Sequence, residues 1–386
     1  MDSTLTSTTT VQQDKVPFLE YPSGHRDDIK RRQSLIYLIP GNPGLIGYYE
    51  PFMKTLRQLL DETEEKELCR HTFHIYGRNL LGFSDGDHQP AFGTTTSSPA
   101  IKTEPFTLED QIRSCYDQVQ HISTSTLSPG RSFSSVILIG HSVGSYIALE
   151  LFHRAAAATT TTQPHDTHDT SPIIPEKQPV PLHFAILLFP TISHIARSRS
   201  GQRLDLIRRT PFLDQSAHHV AKFVVDLLPH WLLAAVVGRA LGFPPHAAAA
   251  TLRFLASRDG IWQALHMGKD EMATIGDSEG RWGAGMWEEV REVGGSNYGE
   301  EALGDGDWSG EKGKNGRARF FLYFGERDHW VADECRDEFI ERRRREGRGG
   351  TRIVVDEAGI PHAFCIHHSE SVAEKVKVWI EDVAGL

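Results

Sequence analysis

The chain has 386 residues, 39% of them hydrophobic and 24% charged, with a formal net charge of −10. That length exceeds one ordinary core, and the apolar share is low for a globular chain, so one core domain with insertions that build no core of their own is expected. The negative balance argues against nucleic acid as the main partner, because phosphate binding draws on a basic surface.

Residues 1–15 are rich in Ser and Thr and carry no apolar run, so they do not read as a secretory leader, and residues 1–31 are expected to be a disordered tail. Residues 34–39 (SLIYLI) are a short apolar run stopped by Pro40-Gly41-Asn42-Pro43-Gly44, the pattern of a buried strand ended by a sharp turn. Helical spacing follows over 48–60, with Phe52, Leu56, Leu59 and Leu60 on one face. Residues 71–76 read as a second strand, and 89–104 as a solvated loop. Thr107 caps a helix that runs to about Ser123. A third strand, 135–139, runs into Gly140-His141-Ser142-Val143-Gly144 and a helix over 145–154.

Residues 155–181 are low-complexity and are expected to be a disordered insertion. Strand 184–189 closes the first part of the core, 32–192. Residues 193–273 carry helical patterns only and read as a cap; 274–317 is a Gly-rich, acidic insertion that is mostly loop. Strands at 319–324 and 351–355 and a helix over 369–383 complete the core within 318–386. Strands alternating with helices imply an α/β fold with a mostly parallel sheet flanked by helices. Cys69, Cys115, Cys335 and Cys365 form no C-x-x-C pair and no zinc spacing, so four reduced thiols, a reducing compartment, no metal and no cofactor are expected.

The pattern Gly140-x-Ser142-x-Gly144 between a strand and a helix is that of a nucleophile turn. Glycines remove side chains that would clash in so tight a turn, and the hydroxyl projects beyond the sheet. The amide of Val143 opens the next helix and can stabilise an oxyanion. The competing reading is a Gly-rich turn whose serine merely caps that helix. A serine nucleophile needs a base and an acid, which in an α/β-hydrolase follow it in the order acid, then histidine. Among twenty histidines, His362 follows the last strand and precedes the last helix; His367 and His368 are weaker choices. Asp328 follows strand 319–324, whereas strand 184–189 leads to no carboxylate before Asp205. Asp333 and Asp356 are weaker acids. The second oxyanion donor should come from the turn at 40–44; Pro40 and Pro43 have no N–H, and of Gly41 and Asn42 the Asn42 backbone amide is preferred. A serine in this place disfavours an epoxide hydrolase or dehalogenase, which use Asp there.

Residues 223–243 are strongly apolar, but Asp226, Pro229 and Arg239 interrupt them. About 20 predominantly apolar residues are needed to span a bilayer, so the stretch reads as a cap helix, as a segment lying in a lipid surface, or as both.

The segments 38–44 with Tyr48, Tyr49 and Phe52, 140–144, Tyr323-Phe324-Gly325 with Asp328-His329-Trp330, and 360–364 resemble the lipid droplet-associated hydrolase family. The similarity covers about 34–192 and 319–386. The resemblance implies a carboxylic ester hydrolase for neutral lipids or sterol esters, with Ser142, Asp328 and His362 as nucleophile, acid and base. It implies partners too: a lipid ester substrate and the droplet surface, reached from the cytosolic side through about 223–243, with the endoplasmic reticulum surface as a second location. The alternative from another class is a droplet-surface protein that uses the hydrolase core as a scaffold with little turnover.

Overall fold

The computed structural model describes residues 17–66, 69–96, 101–124, 132–160, 180–276, 281–282, 284–287, 319–346 and 350–385. Seven strands form one sheet: β1 (Phe18–Tyr21), β2 (Arg32–Ile39), β3 (His71–Arg78), β4 (Ser135–His141), β5 (Leu182–Leu188), β6 (Phe320–Phe324) and β7 (Thr351–Val355). Their order is β1-β3-β2-β4-β5-β6-β7, parallel throughout except β1, which runs antiparallel to β3. This is the expected α/β architecture.

Strand periodicity of two divides the apolar side chains between two faces. Leu35, Tyr37, Val136, Leu138, Ala185, Leu187, Phe320 and Leu322 face one core. Ile36, Leu38, Ile137, Ile139, Phe184, Ile186, Phe321 and Tyr323 face the other. The first core is covered by α2 (Leu108–Thr124), α3 (Val143–Thr160) and a later helix, Asp333–Glu346. The second is covered by α1 (Glu50–Glu64) and the last helix, Ser369–Ala384. Thr107 caps α2 as expected: its Oγ1 accepts from the Asp110 amide at 3.2 Å, and Asp110 Oδ2 accepts from the Thr107 amide at 2.8 Å.

Between β5 and β6 the chain forms α4 (Arg199–Arg209), α5 (Pro211–Asp226), α6 (His230–Ala235), a π-helical turn over Val236–Ala240, α7 (Pro245–Ala256) and α8 (Gly260–Thr274). These helices meet the loops at the C-terminal ends of the strands. Tyr48 Oη and Thr251 Oγ1 are 2.8 Å apart, the Ser200 amide donates to the His329 carbonyl at 3.0 Å, and His246 Nε2 donates to the Cys365 carbonyl at 3.0 Å.

Disorder is expected over 1–31; residues 1–16 lie outside the described residues, but residues 17–31 are structured. Glu64, fully buried at the end of α1, explains why. Its carboxylate accepts from Ser23 Oγ, from Arg57 at 2.6 Å and from the Phe73 amide at 2.9 Å, while its carbonyl accepts from Arg31 at 2.6 Å. A buried carboxylate is tolerated only with such partners, and they draw residues 23–31 onto the core. Where an insertion is expected from 155, Ala155–Ala158 instead continue α3, whose last residue is Thr160. Residues 161–179 lie outside the described residues. In the Gly-rich stretch, Trp282 and Trp287 are buried against the first core, Trp287 packing on Phe320 and Phe339 at 5.3 and 5.4 Å between centroids. Residues 288–318, with Trp308, are outside the described residues. The four cysteines are free and buried.

Candidate active site

β4 ends at His141 and α3 begins at Val143, so Ser142 occupies the single residue between them. Its φ is 54°, in the left-handed region that costs an L residue energy. Neighbouring backbone holds it there: the Ser142 amide donates to the Leu188 carbonyl at 3.0 Å, and the Ser142 carbonyl accepts from the Ser145 amide at 2.9 Å. The flanking glycines are sterically required. A Cβ on Gly140 would come within 2.4 Å of the Gly144 carbonyl oxygen, and one on Gly144 within 2.2 Å of the Ile39 carbonyl oxygen.

His362 reaches this turn from the loop after β7, with Nε2 2.9 Å from Ser142 Oγ. Its Nδ1 lies 2.6 Å from Asp328 Oδ2, in the loop after β6. Nδ1–H therefore donates to the carboxylate, leaving Nε2 to accept from the serine hydroxyl. The other carboxylate oxygen, Oδ1, accepts from the Trp330 amide at 2.8 Å. Burial alone would raise the Asp328 pKa, but the neighbouring His362 and the hydrogen bonds outweigh it and hold the carboxyl below its usual value. Ser142, Asp328 and His362 are all buried, the serine at 9% exposure.

The weaker candidates stand elsewhere. Asp333 begins the helix Asp333–Glu346, is exposed, and pairs with Arg336 at 3.1 Å. Asp356 is buried but supports the histidine loop: it accepts from Tyr323 Oη, and from the Ile360 amide at 2.7 Å. His367 is exposed at the end of the short helix Phe364–His367.

The turn at 40–44 lies against the serine, since a Cβ on Gly41 would stand 3.0 Å from Ser142 Cβ. Sequence reasoning missed what holds this turn. The Gly41 amide donates to Tyr49 Oη at 2.9 Å, Tyr49 O–H donates to His141 Nδ1 at 2.7 Å, and His141 Nε2–H donates to the His362 carbonyl at 2.9 Å. Burial, reinforced by the nearby His362, pushes the His141 pKa down to about 3, so it stays neutral. Gly41 N–H is thereby engaged, whereas the amides of Asn42 and Val143 have no protein acceptor among the described residues. No group of three or more metal-binding side chains occurs among the described residues. A cavity of about 470 Å³ lies at the opposite, N-terminal edge of the strands, lined by Arg32, His71, Ser134 and Leu182, away from Ser142.

A family model described as lipid-droplet associated hydrolase matches residues 32–365. The chain belongs to that family. Lipid droplet-associated hydrolases of Homo sapiens and Mus musculus are 24% and 22% identical to it, over 93% and 92% of this chain and 88% and 87% of theirs. Among solved structures, the peroxisomal α/β-hydrolase Lpx1 of Saccharomyces cerevisiae has a similar fold, with a TM-score of 0.54 at 12% identity, covering 98% of this chain and 85% of that one. This member of the lipid-droplet associated hydrolase family is thus a hydrolase of the α/β-hydrolase fold.

Proposed function

We propose that the protein is a serine carboxylic ester hydrolase acting on neutral lipid or sterol esters at the lipid droplet surface. The observation that carries this reading is the hydrogen-bonded chain from Ser142 Oγ through His362 to Asp328. His362 Nε2 takes the hydroxyl proton as Ser142 Oγ attacks the ester carbonyl, and Asp328 stabilises the imidazolium. The oxyanion is held by the amides of Asn42 and Val143. Collapse expels the alcohol, which receives the proton from His362. Water, deprotonated by the same imidazole, then releases the acid from Ser142.

In this reading residues 193–273 act as a cap over the site, and 223–243 is its lipid-facing part. No single helix among the described residues is long and apolar enough to cross a membrane; Ser216–Asp226 and His230–Ala240 meet at a bend of 101°. Phe223 and Trp231 on these helices, and Leu227 in the bend between them, are 63%, 71% and 65% exposed. A droplet has one phospholipid layer over oil, which suits a bent pair lying in the surface from the cytosolic side better than a spanning helix. The endoplasmic reticulum surface would accept the same segment.

That exposed face also supports the second reading, a droplet-surface scaffold with little turnover. Labelling by a fluorophosphonate separates the two. The ester hydrolase reading expects the full chain to be labelled and Ser142→Ala to lose both labelling and ester hydrolysis while keeping its thermal midpoint. A wild-type chain that binds droplets yet neither labels nor hydrolyses a lipid ester would overturn it in favour of the scaffold.

A further inference from the structure

The turn beside Ser142 is pinned on two sides, and only one of them belongs to the core. Tyr49 and His141 hold Gly41 from the core side. The next residue is held by α8: Asn42 Nδ2 donates to the Ala264 carbonyl at 3.0 Å and to Glu271 Oε1 at 3.1 Å. Gly268 lies on the same helix between these acceptors and beside the amide; a Cβ there would meet Nδ2 at 3.6 Å, an ordinary contact. Because its side chain is engaged in this way, Asn42 can serve the reacting centre only through its backbone.

Glu271 is an expensive group to place there. It is 4% exposed, and no Lys or Arg pairs with it among the described residues. A buried carboxyl without a counter-charge is costly when ionised. Burial pushes its pKa up to about 8, against the Asn42 hydrogen bond and with help from Asp270. An apolar side chain would fill the site at less cost, and among the described residues the side chain that hydrogen-bonds this carboxyl is Asn42.

We propose that Glu271 is a positioning residue for the reaction at Ser142, fixing Asn42 so that its backbone amide stays aimed at the oxyanion, and so making transition-state stabilisation depend on the seating of α8. The inference rests on the reading of Ser142 as the nucleophile and of the Asn42 amide as an oxyanion donor. The physical lever is short. Oxyanion donors act at about 2.7–3.1 Å, and a misplacement of about 1 Å can cost on the order of 100-fold. Pro40 and Pro43 have no N–H with which to brace the turn. α8 in turn packs against α4, α5 and α7, so a displacement of those helices is felt at Asn42.

The test uses the full chain, the soluble ester p-nitrophenyl butyrate and a trifluoromethyl ketone, whose adduct with Ser142 carries an oxyanion. Glu271→Ala should lower kcat about 10- to 100-fold with KM held within about twofold, and weaken the ketone by a similar factor. Glu271→Gln keeps an oxygen that can accept from Asn42 Nδ2 and should restore activity to within about threefold. Combined with Asn42→Ala, the Ala variant should add no further loss. Thermal midpoints show that each variant is folded; should Glu271→Ala fail to fold, Asn42→Ala carries the kcat and ketone tests. Unchanged kcat in folded Glu271→Ala or Asn42→Ala, unchanged ketone affinity, or a Gln variant as poor as Ala would overturn the inference. If the wild-type chain does not react with a fluorophosphonate at all, it is the parent reading of Ser142 that fails.

Discussion

Tyr49 is the side chain on which two turns near Ser142 converge. Its hydroxyl accepts the Gly41 N–H and satisfies His141 Nδ1, and the residue is almost wholly buried. Tyr49→Phe would leave an amide proton and a ring nitrogen without partners inside the protein. Such groups cost about 1–3 kcal/mol each, so chemical denaturation should show the variant destabilised by roughly that amount or more. Glu271 makes a different prediction, one of pH. The unfolded carboxyl releases its proton near 4.5, the folded one near 8. Between those values the folded state holds more protons, so this group subtracts stability as pH rises from about 4.5 to about 8. Glu271→Gln cannot ionise. Its thermal midpoint relative to wild type should therefore climb between about pH 5 and about pH 8.5; a difference that stays constant would show that the carboxyl is already charged or that its pKa is ordinary.

At the scale of elements, α5 and α6 divide their apolar residues between two surroundings. Leu233 and Val237 are buried where α6 and the π-helical turn pack on α7, whereas Phe223, Leu227 and Trp231 face outward. Burying a large apolar side chain contributes roughly 1.5–3 kcal/mol, so three such residues can hold the protein on oil. Replacing Phe223, Leu227 and Trp231 together by Ser should release it from droplets in a flotation assay with little change in thermal midpoint. Leu233→Ser should do the reverse, lowering stability first. The same division shows what could be read in advance. The strands β2, β4, β5 and β6 are near-continuous apolar runs; the glycine-flanked serine motif singled out Ser142, and chain order after the late strands singled out Asp328 and His362, which the fold brings within hydrogen-bonding distance of one another in a chain. β1 was not legible, because four residues carry too little pattern and their order depends on partners such as His74 and Arg78 far along the chain. Nor were His141 and Glu271: the middle positions of a serine turn accept many residues, and the contact from Asn42 to Glu271 spans 229 positions.

For the molecule as a whole, charge and surface point in different directions. The net charge is −10, yet the face offered by α5 and α6 is apolar. The net Coulomb term toward anionic phospholipid is then repulsive, and the apolar face is expected to drive attachment. Binding to vesicles or droplets containing anionic lipid should hold or strengthen as salt is raised from about 50 to about 300 mM, by screening over a shrinking Debye length. Loss of binding over that range would mean that local basic residues, not the apolar face, make the attachment.

The bent pair α5–α6 belongs to the same inserted segment as α8, which holds the turn beside Ser142 through Asn42. A molecule resting on oil through that pair therefore keeps its site beside the oil for as long as it stays. Catalysis would run in scooting fashion, with many esters cleaved per landing and both products returned to the layer they came from. Velocity would follow the mole fraction of ester within the surface rather than its bulk concentration, and dwell time on the droplet would set how many turnovers each visit yields.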